Sequence, residues 1–232
     1  MDRTNKILII VTNVGEYEKV GMRTGLWLGE LTHFYDYVKE KGYEVDMASP
    51  SGGFVPLDPE SLAHEILAEL GTDKRYHDRD FMDLLENTKR AADVNVEDYD
   101  ALYFTGGHGV MFDFRGDDLG ALTARFYETD RVVSAVCHGP VGLLNVPLSS
   151  GDPLVKDKNV TGFSWPEEKA AQRDDAVPFS LQDELKKLGA NYSMADKPFE
   201  THVIEDGYLI TGQNPGSARA VAEAVVNRLQ KQ

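Results

Sequence analysis

A chain of 232 residues, 41% of them hydrophobic and 27% charged, suits one globular domain with a full core. Its formal net charge of −15 excludes partners held by phosphate neutralisation: no nucleic acid and no anionic membrane surface is expected to bind. The lone cysteine, Cys137, excludes an intrachain disulfide and a multi-cysteine zinc site, and points to a reducing compartment, the cytoplasm.

Met1 to Lys6 is polar and the apolar run Ile7 to Val11 is short, so neither a secretory leader nor a membrane span is expected. Ile7 to Val14 reads as a parallel strand buried on both faces. After a loop from Gly15 to Thr24, Leu28, Leu31, Phe34, Tyr35 and Val38 recur at helical spacing. They predict a helix over Leu26 to Lys41 that Gly42 closes. Tyr43 to Ala48 is a second strand, so the first fifty residues form a βαβ unit. Leu57 to Leu70 reads as a helix opened by Asp58-Pro59.

Gly71 to Asp98 is charged and reads as an insertion holding one helix around Phe81 to Lys89. Ala101 to Thr105 is the next strand and ends in Gly106-Gly107-His108-Gly109. A helix from Asp117 to Asp130 leads to the strand Val132 to Val136, which runs into Cys137. Further on, Asn159 to Phe163 fits a strand and Ser180 to Leu188 a capped helix. His202 to Glu205 and Tyr208 to Thr211 fit a hairpin across Asp206-Gly207. Pro215 to Leu229 closes the chain as a helix. Strands and helices alternating in this way predict an α/β, doubly wound, mostly parallel sheet with helices on both faces.

In open α/β sheets, ligands bind beyond the carboxyl ends of the strands. Three segments place unusual residues there: Thr12 to Glu16, Gly106 to Gly109, and Cys137 to Pro140. The last has the form of a nucleophile elbow, a buried strand turning sharply so that the nucleophile stands above the sheet. An isolated cysteine is more often a buried structural residue. The strand end, the adjoining His138 and the Gly139-Pro140 after it favour a nucleophile instead. A helix starting just after the thiol is expected to lower its pKa.

The Gly106–Gly109 turn lets backbone amides approach a substrate and hold an oxyanion. No Gly-Lys-Ser or Gly-Lys-Thr comes after it, so a phosphate loop is not indicated. Glu30 and His33 share a face of the first helix beside apolar neighbours, where a carboxylate would be partly desolvated and its pKa raised. A protonated Glu30 could donate a hydrogen bond to a nearby thiolate. No third ligand motif accompanies the pair, so no metal is expected.

Gly25-Leu26-Trp27-Leu28-Gly29-Glu30, Thr105 to Gly109 and Ala135 to Pro140 together resemble the ThiJ/PfpI superfamily. The likeness extends through Thr161-Gly162-Phe163 with Glu167-Glu168 to Thr211-Gly212-Gln213-Asn214-Pro215. It implies a flavodoxin-like sheet related to the class I glutamine amidotransferases. Within the superfamily the motifs look most like the branch of glutathione-independent glyoxalases (glyoxalase III) and heat-shock chaperones.

The resemblance implies Cys137 as nucleophile, His138 as the proton-transfer residue, Glu30 as the acid beside the thiol and a glutamate orienting the histidine. Register favours Glu168 over Glu167 for that last role. Gly107 and the backbone of His138 would form the oxyanion hole, with His108 among the substrate-binding residues. The implied activity is that of a cofactor-free lyase acting on a small 2-oxoaldehyde, methylglyoxal to lactate or glyoxal to glycolate, in a homodimer. Other readings of the same motifs are a cysteine hydrolase (a protein deglycase or peptidase) and a stress chaperone or redox sensor. Trp27, Tyr17, Phe163 and Trp165 are aromatic residues that could line a pocket.

Overall fold

In the computed structural model, which describes residues 5–231, strand β1 (Lys6–Ile10) is buried from Ile7 to Ile10. Leu8 and Ile10 join one hydrophobic core, Ile7 and Ile9 the other, the double-sided burial a central parallel strand requires. Met1 to Thr4, part of the polar stretch read as lacking a leader, lie outside the described residues. Helix α1 (Leu28–Glu40) and strand β2 (Glu44–Ser49) complete the βαβ unit, with β1 and β2 parallel and Ile7 opposite Val45.

Short helices α2 (His64–Leu70), α3 (Asp73–Tyr76) and α4 (Arg79–Asp83) precede a two-residue strand, β3 (Lys89–Arg90). Then come β4 (Ala101–Phe104), α5 (Val110–Asp113), α6 (Asp117–Glu128) and β5 (Val132–Val136). After β5 the chain forms β6 (Asn159–Val160), α7 (Trp165–Ala170), α8 (Leu181–Lys187) and β7 (Asn191–Tyr192). The hairpin β8 (Val203–Asp206) and β9 (Leu209–Gly212) leads into α9 (Ala218–Gln230).

Seven strands make the main sheet in the order β3-β2-β1-β4-β5-β9-β8. All its pairings are parallel except β8 with β9. Apolar residues of α1 and α9 cover one face, and those of α6 and α8 the other. The α/β doubly wound arrangement is therefore as the sequence pattern implies. Among the described residues no helix is long and apolar enough to cross a membrane.

Three elements depart from the expected bounds. The helix expected over Leu57 to Leu70 divides into a 3-10 turn, Pro59–Leu62, and α2, with Ala63 extended between them. Polar bonds fix that break. Asp58 accepts from the Glu60 amide and the Thr24 hydroxyl, and the Ser61 hydroxyl bonds Asp58 and accepts from Leu28. The helix expected around Phe81 to Lys89 ends at Asp83, and Lys89 instead starts the edge strand. In the hairpin, Asp206 pairs with Leu209, so the turn is Gly207-Tyr208, one residue later than expected, with Gly207 at φ 64°.

Candidate active site

The carboxyl ends of β1, β4 and β5 open on one side of the sheet. After β1, Thr12 and Asn13 act as a brace: the Thr12 hydroxyl and the Asn13 amide both donate to Asp113 of α5, at 2.9 and 2.8 Å. Burial pushes the Asp113 carboxyl up to about 7. Glu16 pairs with Arg23 at the surface, so this first segment supports the site and supplies none of its reactive groups.

The turn after β4 is stapled to the segment before α1. Trp27 donates its amide to the Gly106 carbonyl, and Gly109 donates to that of Gly25. Gly107 sits at φ 91°, a left-handed conformation that costs glycine little. A side chain on it would collide with the Gly25–Trp27 backbone. A Cβ on Gly106 would lie 2.9 Å from Cys137 Cβ. The two glycines let the α1 segment, carrying Glu30, close over the end of β5. The Tyr103 hydroxyl, donating to the Glu30 carbonyl at 3.0 Å, holds the first turn of α1 from below.

Cys137 comes directly after β5 and adopts φ 58°, a strained conformation for a residue with a side chain. The surroundings over-determine it: its amide donates to the Gly212 carbonyl at 3.0 Å, and its carbonyl accepts from the Phe163 amide at 2.7 Å. Only 3% of the residue is exposed. Its Sγ lies 3.3 Å from Nδ1 of His138. The His138 ring lies between His108 and Phe163, tilted against both, with centroids 4.2 and 4.4 Å away.

Glu168 lies on α7 beneath both imidazoles. His138 Nε2 donates to one of its oxygens at 2.8 Å and His108 Nε2 to the other at 2.6 Å. Because a carboxylate only accepts, both histidines carry their proton on Nε2, leaving Nδ1 of His138 free to take a proton from the thiol. Burial acts to raise the Glu168 carboxyl, but the electrostatic pull of the paired histidines, His138 first, and the two imidazole bonds outweigh it and hold the group well below the usual range. Burial and the neighbouring His138 push His108 down, against the pull of Glu168.

Glu167 has a different task. Its carboxylate completes a capping box with Ser164, accepting from the Ser164 amide and hydroxyl, and also accepts from Phe199 and Asn214. The structure thus brings Glu168, and not Glu167, against His138.

Glu30 is fully buried beside the thiol, and burial pushes its carboxyl up to about 8. The Cys137 thiol and the Gly106 amide act to lower it, yet neither makes a well-aligned bond, and both oxygens are sealed from solvent without a partner. At neutral pH the group is the acid form. The thiol pKa is raised, not lowered as the local pattern implies. Burial and then the Glu30 carboxyl push Cys137 well up, and the Gly107 amide only partly offsets them. The chain beyond the thiol forms a single 3-10 turn, Gly139–Leu143, whose dipole is worth about 0.3–1 kcal/mol, too little to outweigh desolvation.

The amides of Gly107 and His138 find no carbonyl acceptor among the described residues. Gly107 faces the sulfur. These amides can therefore receive a developing oxyanion. The groups open on a cavity of about 470 Å³ that includes Trp27, Glu30, Gly107, His108, Cys137, His138, Phe163 and Phe199 in its wall, a size that takes a small molecule. At its rim Glu60 pairs with Arg173.

Of the aromatic residues singled out by sequence, Trp27 and Phe163 line the cavity. Tyr17 packs behind His108, and Trp165 packs against the core. Phe199 is absent from the residues that sequence singles out. Its only signal is an aromatic residue in the polar run Asp196-Lys197-Pro198-Phe199-Glu200. His33 is diverted to the Leu70 carbonyl at 2.9 Å. Among the described residues, the group that could hold a metal is instead His108, His138 and Glu168, with ligand atoms within 4.8 Å of one another. The two imidazole bonds already satisfy that carboxylate.

The profile of the DJ-1/PfpI family matches residues 24–228. Glyoxalase 3 of Candida albicans is 34% identical over 95% of this chain and 97% of its own length. The glutathione-independent glyoxalase HSP31 of Saccharomyces cerevisiae is 33% identical over 97% and 98%. Among solved structures, Rapid Encystment Protein 24 KDa of Francisella tularensis superposes with a TM-score of 0.90 at 38% identity, covering 97% of this chain and 98% of that one. Glyoxalase III of Candida albicans superposes with a TM-score of 0.89 at 31% identity and the same coverage.

Proposed function

We propose that this chain, which belongs to the DJ-1/PfpI family, is a glutathione-independent glyoxalase that converts methylglyoxal to lactate through a covalent bond to Cys137. The observation that carries the reading is the buried constellation of Cys137, His138, Glu168 and Glu30 around one small cavity. Relatives of the same length bear the name glutathione-independent glyoxalase.

The geometry is consistent with the following chemistry. Nδ1 of His138 takes the thiol proton, and the sulfur attacks the aldehyde carbon of methylglyoxal. The oxyanion that forms is held by the Gly107 and His138 amides and protonated to a hemithioacetal. His138, neutral again once the oxyanion has taken its proton, removes the proton from that carbon, and the electron pair forms the enediol double bond to the neighbouring carbon, whose carbonyl oxygen takes a proton from Glu30. Returning a proton to the second carbon leaves a thioester of lactate. Water cleaves it to release lactate and restore the thiol. One carbon is oxidised and its neighbour reduced, so no external redox partner enters the balance.

Glu168 keeps His138 in the tautomer that this sequence of steps needs. Glu30 supplies a buried proton close to the sulfur. A nucleophile only 3% exposed at the base of a small cavity favours small aldehydes over peptides or protein side chains. The test is mass spectrometry of wild type and Glu30→Gln acid-quenched during incubation with methylglyoxal, since both keep the His138 base that sulfur addition needs. An adduct of one methylglyoxal on the Cys137 peptide is expected. Lactate formation by wild type with no adduct on Cys137 in either protein would overturn the covalent route.

A further inference from the structure

We infer that Phe199 narrows the cavity and so makes the site favour aldehydes with a short alkyl substituent over aryl ones; this deepens the glyoxalase reading and rests on it. Phe199 sits in a loop with no regular structure, at φ 64°. Non-glycine residues hold such a conformation only where the surroundings fix it.

Here they do. The buried Glu167 accepts from the Phe199 amide at 2.8 Å, and Asn214, itself bonded to Glu167 at 3.0 Å, donates to the Glu200 carbonyl at 2.7 Å. The Thr201 hydroxyl donates to the Gly216 carbonyl and the His202 amide to the Ser217 hydroxyl. The backbone is thus pinned to α7 and to the turn before α9, the same α7 that carries Glu168.

Phe199 is 51% exposed. Its ring forms part of the cavity wall, 6.1 Å between centroids from Phe163, whose ring in turn packs at a tilt against His138. A fixed backbone holding a half-exposed ring across from the reacting groups makes a wall of defined position. Removing the ring widens the cavity without touching Cys137, His138, Glu168 or Glu30.

The test compares methylglyoxal with phenylglyoxal in wild type and Phe199→Ala. The ratio of kcat/KM for phenylglyoxal to that for methylglyoxal should rise by about tenfold or more, the discrimination a hydrophobic wall supplies. A ratio within about twofold of wild type would overturn the inference, whether or not both rates fall. A second arm needs no turnover. Cys137 is the one cysteine, so its alkylation by iodoacetamide and by N-phenyl iodoacetamide reports access to the sulfur. The variant should favour the aryl reagent by a similar factor, and an unchanged ratio counts against the wall. Failure of wild type to convert either aldehyde would sink the glyoxalase reading, while the alkylation ratio still decides the role of Phe199.

Discussion

Glu30→Gln isolates the buried acid beside the thiol. In the folded chain burial holds this carboxyl at about 8, against 4.5 when it is solvated. Above pH 4.5 the unfolded chain releases the proton while the folded chain keeps it until about 8. Unfolding therefore becomes easier as pH rises: the contribution is fully present below 4.5 and is lost on the way up through 8. At about 1.4 kcal/mol for each pH unit, the whole displacement amounts to roughly 5 kcal/mol.

Glutamine has nearly the same shape and no proton to lose. The stability of wild type relative to Glu30→Gln should then fall by roughly 3 kcal/mol between about pH 5.5 and about pH 7.5. Urea unfolding of both proteins across that range measures the difference, in which groups common to the two cancel. Parallel stability curves would refute the assignment of Glu30 as a buried acid. In the same variant turnover should drop by about 10²-fold or more, since a positioned proton donor is lost.

Glu168→Gln presents an amide to two imidazole N–H groups and can accept from only one of them in good geometry. The other histidine must reorient, and kcat/KM should fall by about 10² to 10⁴ with the fold intact by circular dichroism. A fall of less than about threefold would remove Glu168 from the account. Gly106→Ala would place a methyl group 2.9 Å from Cys137 Cβ and 3.0 Å from the His138 amide nitrogen, and against the Glu30 carboxyl. It should cost about 1–3 kcal/mol in chemical unfolding and displace Glu30 from the sulfur. Undiminished activity with unchanged stability would show that the close approach is not needed.

Much of the fold is legible in the sequence because its signals are long or sit at strand ends. β1 and β5 are apolar runs with little polar interruption, and α1 carries helical spacing over a full thirteen residues. Cys137 stands out by its place after β5, and the capping box that occupies Glu167 is written in Ser164-Trp165-Pro166-Glu167. β3, β6 and β7 are two residues each, too short for any period to register. The break at Ala63 depends on Thr24 and Leu28, more than thirty residues away, and so leaves no local trace.

The same limit applies to the site. That His108 shares Glu168 with His138 depends on a contact across sixty residues. The thiol pKa misleads in sequence because a dipole is visible in a local pattern, whereas the desolvation that outweighs it is a property of the packed fold. Phe199 reaches the cavity only through the bonds of Glu167 and Asn214.

The most direct test is lactate formation from methylglyoxal without glutathione, added metal or cofactor, with wild type compared to Cys137→Ala. The account predicts steady turnover by the reduced wild type and none above background by the variant, whose fold should be unchanged. Turnover that survives loss of the sulfur, or its absence in well-folded wild type, would contradict a glyoxalase built on Cys137.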